Sequence, residues 1–401
     1  MKILYLSQYF PPEMGAPAAR VHELSREWAR LGHDVTVLTG FPNHPTGVIP
    51  PEYRGEFFRR ETVDGIRVLR APIYAAANKG LVRRALNYVS YCLSASAIGP
   101  FAAPRPDVLI ATSPQFLTGL AGLWLSTALR VPFVFEVRDL WPRSIVEVGA
   151  LKKGSLAVRG LEVIEQQLYR RADHIVAVTE SFVDEIAAHG IAREKISVLT
   201  NGVDLQLFQP QDRSAARAAL RLPEGPLYSY VGTHGMAHGL DTLLETARLV
   251  PRAAFLLVGE GAEKQKLMQH AAGQPNVIFW SQRDRTEVAQ ILAASDACLV
   301  LLRDQPVFRT VLPSKMFECM GAARAIVSTV DGEARALLER AGAGVFSPPE
   351  DAAALARTLA ALTPERLNAL GRAGRSYVEQ HYSRPALAKR YLEILASVVK
   401  S

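Results

Sequence analysis

KILYLSQYFPPEMGAPAARVHELSREWARLGHDVTVL, residues 2–38, decides the fold. Lys2 to Leu6 is a short run of β-type residues, and Pro11-Pro12-Glu13-Met14-Gly15 is a loop. Val21, Leu24, Trp28 and Leu31 then recur at helical spacing, and Gly32 ends that helix. Val35 to Leu38 reads as the next buried strand. The same order returns downstream. Val108–Ala111 is followed by an apolar helix, Pro132–Val137 is another strand, and His174–Val178 precedes a helix that begins near Glu180. Strands alternating with helices predict a parallel sheet covered on both faces.

ISVLTNGVDLQLFQP, residues 196–210, is a strand ending in Asn201-Gly202 turn chemistry and a proline-containing linker. A second series starts beyond it, with strands at Tyr228–Val231, Phe255–Val258, Val277–Trp280, Ala297–Leu302 and Ala325–Ser328. Helices such as 240–249 and 286–294 alternate with them. A chain of 401 residues exceeds one ordinary core, so two Rossmann-like α/β domains are expected. Their bounds are 1–204, completed by 383–401, and 205–382. The last segment, from Pro385 to Lys400, is an amphipathic helix with Leu387, Tyr391, Leu395 and Val399 every four residues. Ligands of such sheets sit outside the carboxyl ends of the strands, here at a cleft shared by the two domains.

Composition narrows the partners. Hydrophobic residues make up 49% and charged residues 21%, which excludes a disordered or fibrous chain. The formal net charge is +7, but 42 residues between Asp64 and Asp107 hold no acid and carry Arg67, Arg70, Lys79, Arg83, Arg84 and Arg105. Six of the seven charges therefore lie in one block. No nucleic-acid motif accompanies it. Cys92, Cys298 and Cys319 form neither a disulfide framework nor a zinc pattern, which fits a reducing cytoplasm. The N-terminus lacks the pattern of a signal peptide. Residues 85–104 and 108–129 reach membrane-spanning length, but polar residues and Gly99-Pro100 break the first, and Ser113-Pro114-Gln115 the second.

No P-loop, G-x-S-x-G, H-E-x-x-H or D-x-D pattern is present, so no metal site is expected. Gly15 follows the first strand and opens a helix, where backbone N–H groups can hold an anion; the alternative is a turn glycine. Gly259-Glu260-Gly261 is a fragment of a dinucleotide fingerprint and reads mainly as a turn. The densest polar cluster is RTVLPSKMFE, 309–318, which runs into a helix. Lys315 suits a phosphate and Glu318, one turn on, suits a diol.

The chain resembles a family-4 retaining glycosyltransferase of the GT-B fold over nearly its whole length. The resemblance is carried by YFPPEMGAPAARVHEL (9–24), GHDVTVLTG (32–40), FEVRDLWP (135–142), TNGVDLQLF (200–208), PSKMFECMGAARAIV (313–327) and EQHYSRPALAKRYLEIL (379–395). The last is similar to the helix that in this fold crosses back onto the first domain. FPNHPTG (41–47) and the RDLWP box are similar to the bacterial O-antigen and capsule branch, with its N-acetyl-L-fucosamine transferases and colanic-acid enzymes.

The resemblance implies that the first domain binds the acceptor and the second a nucleotide sugar. Glu318 matches the family glutamate that binds ribose hydroxyls, while Thr310 stands where the family has a first glutamate. Thr233 and His238 stand where many relatives carry an Arg and a Lys for the diphosphate. The cation is then expected from Lys315 or Arg309, with Gly15 and Ala16 supplying N–H groups and His238 contributing if protonated; His238 is alternatively a capping or packing histidine. Gly232, Arg283, Val311, Leu312 and Ser314 complete the expected donor set. Arg138 and Asp139 occupy the place where many relatives have His-Asp beside the donor sugar; Asp139 is alternatively a helix cap. His44 is placed to orient an acceptor.

The implied activity is transfer of a sugar, such as N-acetyl-L-fucosamine, from a UDP-sugar to an undecaprenyl-diphosphate-linked saccharide, with no cofactor beyond the donor substrate. The rivals are a UDP-sugar 2-epimerase of the same fold and a non-catalytic nucleotide-sugar or lipid-binding protein. Val82, Leu86, Val89 and Leu93 form one helical stripe, and Arg83, Asn87, Ser90 and Ser94 another. With Tyr88 and Tyr91 beside them and Lys79, Arg83 and Arg84 at one end, the helix is expected to lie on anionic lipid of the inner membrane. The alternative is a helix packing its apolar face on the core.

Overall fold

Apolar runs without alternation become strands covered on both sides: β1 (Lys2–Leu6) is buried from Ile3 onward. In a computed structural model that describes all residues except Pro45, 77–80, Val148, Ala150 and Ser401, the chain forms two compact units. Met1–Thr200 joins Arg384–Ser401 in one, and Asn201–Ser383 forms the other.

The first unit continues with α1 (Ala16–Arg30), β2 (Asp34–Gly40), β3 (Arg59–Val63), β4 (Ile66–Ala71), α2 (Leu81–Ala102), β5 (Val108–Thr112), α3 (Leu117–Leu129) and β6 (Phe133–Val137). It proceeds through α4 (Arg143–Glu147), α5 (Leu156–Arg171), β7 (His174–Ala177), α6 (Glu180–Ala188) and β8 (Ile196–Val198). The sheet order is β3-β4-β2-β1-β5-β6-β7-β8, parallel except for β3 against β4. The β3–β4 hairpin has no counterpart in the sequence reading. Asp64 and Gly65 both take positive φ at its turn, the two-residue chemistry that joins antiparallel strands.

The second unit runs α7 (Arg213–Leu220), β9 (Leu227–Val231), α8 (Asp241–Leu249), β10 (Ala254–Val258), α9 (Lys264–His270), β11 (Val277–Trp280), α10 (Arg285–Ala294) and β12 (Ala297–Val300). Then come α11 (Lys315–Gly321), β13 (Ala325–Ser328), α12 (Glu333–Ala341), β14 (Gly344–Phe346), α13 (Ala352–Ala360) and α14 (Pro364–His381). Its six parallel strands are ordered β11-β10-β9-β12-β13-β14. That is the doubly wound order, with its switch between β9 and β12.

The last helix, α15 (Arg384–Lys400), belongs to the first unit. It packs on α1: the Trp28 indole donates to the Ala388 carbonyl at 3.0 Å and meets Tyr391 edge-on at 5.3 Å, and Arg384 pairs with Glu23. A carboxylate buried on β6 ties this unit together. Glu136 accepts hydrogen bonds from Tyr5 at 2.7 Å, Thr112 at 2.6 Å and Arg20 at 2.9 and 3.0 Å. Burial alone would raise its pKa, but the Arg20 and Arg138 charges, with Thr112 and Tyr5, hold it below the ordinary value. Arg20 also donates to the carbonyls of Leu199 and Thr200 just beyond β8.

Helix α2 reverses the usual amphipathic arrangement. Its polar side chains Asn87, Ser90 and Ser94 turn inward, to Gln8 and Asn43, to the Tyr74 amide, and to the Pro72 carbonyl. Val82, Leu86, Val89, Leu93 and Phe101 are exposed. The stripe read as apolar is therefore the outer face. Tyr91 corrects the expectation of a membrane-facing residue: it is fully buried, and its hydroxyl donates to the Leu38 carbonyl at 2.7 Å. Lys79 lies outside the described residues. Among the described residues no helix is long and apolar enough to cross a membrane.

Candidate functional site

In the first unit, the loops leaving β1, β2, β5 and β6 at their carboxyl ends carry most of the residues singled out from the sequence. Gly15 is the N-cap of α1, and Arg138 lies against that helix's first turn, donating to the Ala16 carbonyl at 3.2 Å. The Ser113 hydroxyl accepts from the amides of Arg138 at 2.7 Å and Asp139 at 3.2 Å, so the loop after β5 fixes the loop after β6. Burial pushes the Arg138 guanidinium down to about 10, which leaves it charged. Burial pushes the Asp139 carboxyl up, while Ser144 and Trp141 act the other way. Asp139 thus bonds into its own turn.

His44 sits with its ring 5.0 Å from that of Tyr9. Burial, with the neighbouring Arg84 charge, keeps its pKa below the ordinary value. Together with Asn43, Arg84, Asn87 and Tyr88, these residues line a small pocket. Tyr88 faces this pocket and the Trp141 ring, with its hydroxyl accepting from Arg84. Arg83 is exposed.

Sequence reasoning quoted Glu13 without giving it a task, yet it organises this corner. One carboxylate oxygen accepts from the amides of Asn43 at 2.8 Å and His44 at 2.9 Å; the other is buried with no hydrogen-bond partner among the described residues. Burial pushes its pKa up to about 7, against the pull of those amides and of Arg70. A carboxylate in a glycine loop just after a buried strand was the available signal.

In the second unit, one donor candidate lies under the loop that follows β9. Lys315, at the start of α11, extends beneath Gly232: a Cβ on that glycine would stand 2.5 Å from its Nζ. The ammonium is buried, rests 4.0 Å from the centre of the Tyr230 ring and has no hydrogen-bond acceptor among the described residues. Burial pushes its pKa down to about 8. The loop is braced from below, since the Gly232 amide donates to Val258 and the His234 amide to Glu260. Gly259 permits this approach: a Cβ there would meet the Gly232 carbonyl oxygen at 1.9 Å. The Gly-Glu-Gly fragment therefore serves packing. His234, another residue that sequence reasoning passed over, is buried beside Lys315 with both ring nitrogens unpartnered among the described residues, and burial pushes its pKa down to about 4.

Of the two readings of His238 the structure fits the packing one: burial, aided by the Lys315 charge, pushes its pKa down to about 3, and its Nδ1 faces the Leu301 carbonyl. The expectation for Arg309 is corrected. Arg309 is directed at the surface, paired with Asp304 at 3.1 Å. Glu318 lies one turn along α11, partly exposed, 3.7 Å from Arg285. The Thr310 hydroxyl donates to the Val307 carbonyl, Val311 is half-buried and Leu312 buried. Ser314 occupies the N-cap position of α11 without a side-chain cap bond. Arg283 lies over the Trp280 ring at 5.2 Å and reaches Glu287. Among the described residues no group of three or more His, Cys, Asp or Glu is arranged to hold a metal ion.

Glu13 makes a pH-dependent prediction. Its native pKa, about 7, lies above the ordinary 4.5, so the folded chain holds this proton more tightly than the unfolded chain. Its ionisation therefore lowers stability as pH rises across that interval, with no further loss above it. Glu13→Gln keeps an oxygen for both amides and removes the titration. Relative to the parent it should gain roughly 1–3 kcal/mol between acid and neutral pH, read by urea unfolding. Parallel stability curves for the two proteins would refute the assignment.

Comparison with known proteins identifies the chain. Residues 15–202 match the glycosyl transferase 4-like domain, and residues 225–364 match glycosyl transferases group 1. The probable glycosyltransferase WbjE of Pseudomonas aeruginosa is 28% identical over 297 residues, covering 70% of this chain and 72% of WbjE. The putative colanic acid biosynthesis glycosyl transferase WcaI of Escherichia coli is 24% identical over 344 residues, covering 82% and 84%. Anabaena HepE, solved in complex with UDP and glucose, superimposes with a TM-score of 0.75 at 18% identity, over 99% of this chain and 100% of HepE. Both halves of the chain thus match glycosyltransferase domains in order, and the chain is a glycosyltransferase of the GT-B fold, related to the glycosyl transferase 4-like and group 1 families.

Proposed function

We propose that the chain transfers a sugar, with retention of configuration, from a UDP-sugar to a saccharide linked to undecaprenyl diphosphate, at the cytoplasmic face of the inner membrane. The observation that carries this reading is the buried Lys315 ammonium, held under the Gly232 loop with no acceptor for its protons among the described residues. Such a group is costly unless a ligand completes it, and a diphosphate supplies both charge and acceptors. Glu318, on the same face of α11, is assigned to the ribose hydroxyls. HepE's complex with UDP and glucose supports the donor class. The likeness to WcaI, whose name places it in colanic acid biosynthesis, supports a role in polysaccharide synthesis. The sugar proposed is an N-acetylated deoxyhexosamine such as N-acetyl-L-fucosamine.

In the reaction, the bond between the anomeric carbon and the diphosphate oxygen breaks and one to the acceptor hydroxyl forms on the same face. The acceptor proton passes to the departing diphosphate, whose charge Lys315 balances. Arg138 and Asp139 are assigned to the sugar, and Gly15 and Ala16 to the donor through the start of α1. His44, neutral and fixed through Glu13, is assigned to the acceptor. No carboxylate is assigned as nucleophile, so a trapped glycosyl-enzyme adduct would overturn this mechanism.

The outer face of α2 supports peripheral membrane association. It is apolar from Val82 to Phe101, no acid lies between Asp64 and Asp107, and Arg83 stands exposed at one end. Arg83→Gln combined with Val89→Asp should weaken binding to phosphatidylglycerol-containing vesicles by about tenfold or more while UDP-sugar hydrolysis is unchanged. Equal vesicle binding by variant and parent contradicts the membrane assignment.

The donor assignment is tested by UDP release. Release that requires the acceptor distinguishes a transferase from an epimerase or a binding protein. UDP binding should take up a proton near pH 8, because the diphosphate restores the charge that burial disfavours on Lys315. Affinity then falls as pH rises through that value. Lys315→Met should abolish the proton uptake and weaken UDP binding roughly ten- to a hundredfold. Unchanged calorimetry in the variant would exclude Lys315 from the site.

A further inference from the structure

At the carboxyl end of α2, sharing no lining residue with the His44 pocket, lies an open apolar pocket of about 290 Å³. Ala97, Ile98, Phe101 and Ala102 form one wall, and Phe57, Phe58 and Arg60, leading into the edge strand β3, form the other. Phe57 is 75% exposed and Phe101 89%, so two large apolar rings lining one pocket face solvent. The pocket continues the outward stripe of α2, which is about 33 Å long at the helical rise.

One charge borders it. The Arg60 guanidinium lies 5.4 Å from the centre of the Phe58 ring and, among the described residues, has no ion pair. The nearby acids are engaged elsewhere, Glu56 by Arg59 and Glu61 by Arg70 at 2.5 Å. An apolar slot with a single uncompensated cation at its rim matches an amphiphile with an apolar chain and an anionic head.

We propose that this pocket takes one acyl chain of an anionic phospholipid of the bilayer, with the lipid phosphate at the Arg60 guanidinium. The occupant follows from charge complementarity and from continuity with the apolar face of α2. The inference rests on the membrane reading above, because the bilayer supplies the lipid. Two contacts, the cationic amino end of α2 and this pocket at its carboxyl end, would hold the helix parallel to the surface, whereas one contact leaves its tilt free.

Short-chain dihexanoyl phosphatidylglycerol, kept below its micelle concentration, tests the pocket without a bilayer. Calorimetry should show saturable binding to the parent, weaker binding of dihexanoyl phosphatidylcholine and none of inorganic phosphate. Phe57→Ala with Phe101→Ala should weaken the glycerol lipid about tenfold, and Arg60→Gln should remove the preference for the anionic head. All three side chains are exposed, so thermal unfolding should match the parent. Parent-like lipid binding by the double phenylalanine variant overturns the proposal, as does a head-group preference that survives Arg60→Gln. Failure of the membrane reading looks different: monomeric lipid still binds the pocket, but Arg83→Gln with Val89→Asp leaves vesicle binding unchanged. Failure of the transferase reading appears only as loss of acceptor-dependent UDP release.

Discussion

One buried ion pair sets the geometry of the first unit. Glu136, at the end of β6, gathers donors from β1, β5 and α1, and Arg20 passes the constraint on to the chain leaving β8. Two charges removed from water in this way are costly, and they are retained only where hydrogen bonds satisfy them and geometry is the gain. Here the gain is positional. Arg138 and Asp139 follow Glu136 by two and three residues, and Gly15 precedes Arg20 by five. The loops that carry the candidate chemistry therefore leave the sheet from fixed points.

The second unit is built on the opposite principle. Its central cation lacks what Glu136 has in full. The Tyr230 ring face gives the Lys315 ammonium a partial substitute for water, and the loop braced by Gly259 closes over it. Burial depresses its pKa to about 8 and that of His234 beside it to about 4, so near neutral pH Lys315 carries the charge and His234 is neutral. Such a site needs only the Lys315 side chain to move from the Tyr230 ring to an arriving anion.

How much of this was legible depended on whether a neighbour or a pattern set the property. The strand ends and the terminal helix followed from local patterns, apolar runs and four-residue spacing, whereas the return of that helix to the first unit followed from the family resemblance. Glu136 was visible as the one charge inside an apolar strand, and Asp64-Gly65 as a hairpin turn, but both sat inside stretches read for other features. Tyr91 shows a deeper limit. Periodicity separates the two stripes of α2 but not which one faces in, and here the polar stripe does, because Asn43, Gln8 and the Tyr74 and Pro72 backbone offer it partners. The charge of His238 was equally out of reach, since it depends on burial and on a lysine 77 residues away.

The most direct test of the donor site is a crystal structure of the protein with UDP. The account predicts the diphosphate within hydrogen-bond distance of Lys315 Nζ, drawn off the Tyr230 ring, with the ribose hydroxyls on Glu318. A diphosphate bound elsewhere, with Lys315 still resting on Tyr230, would contradict it.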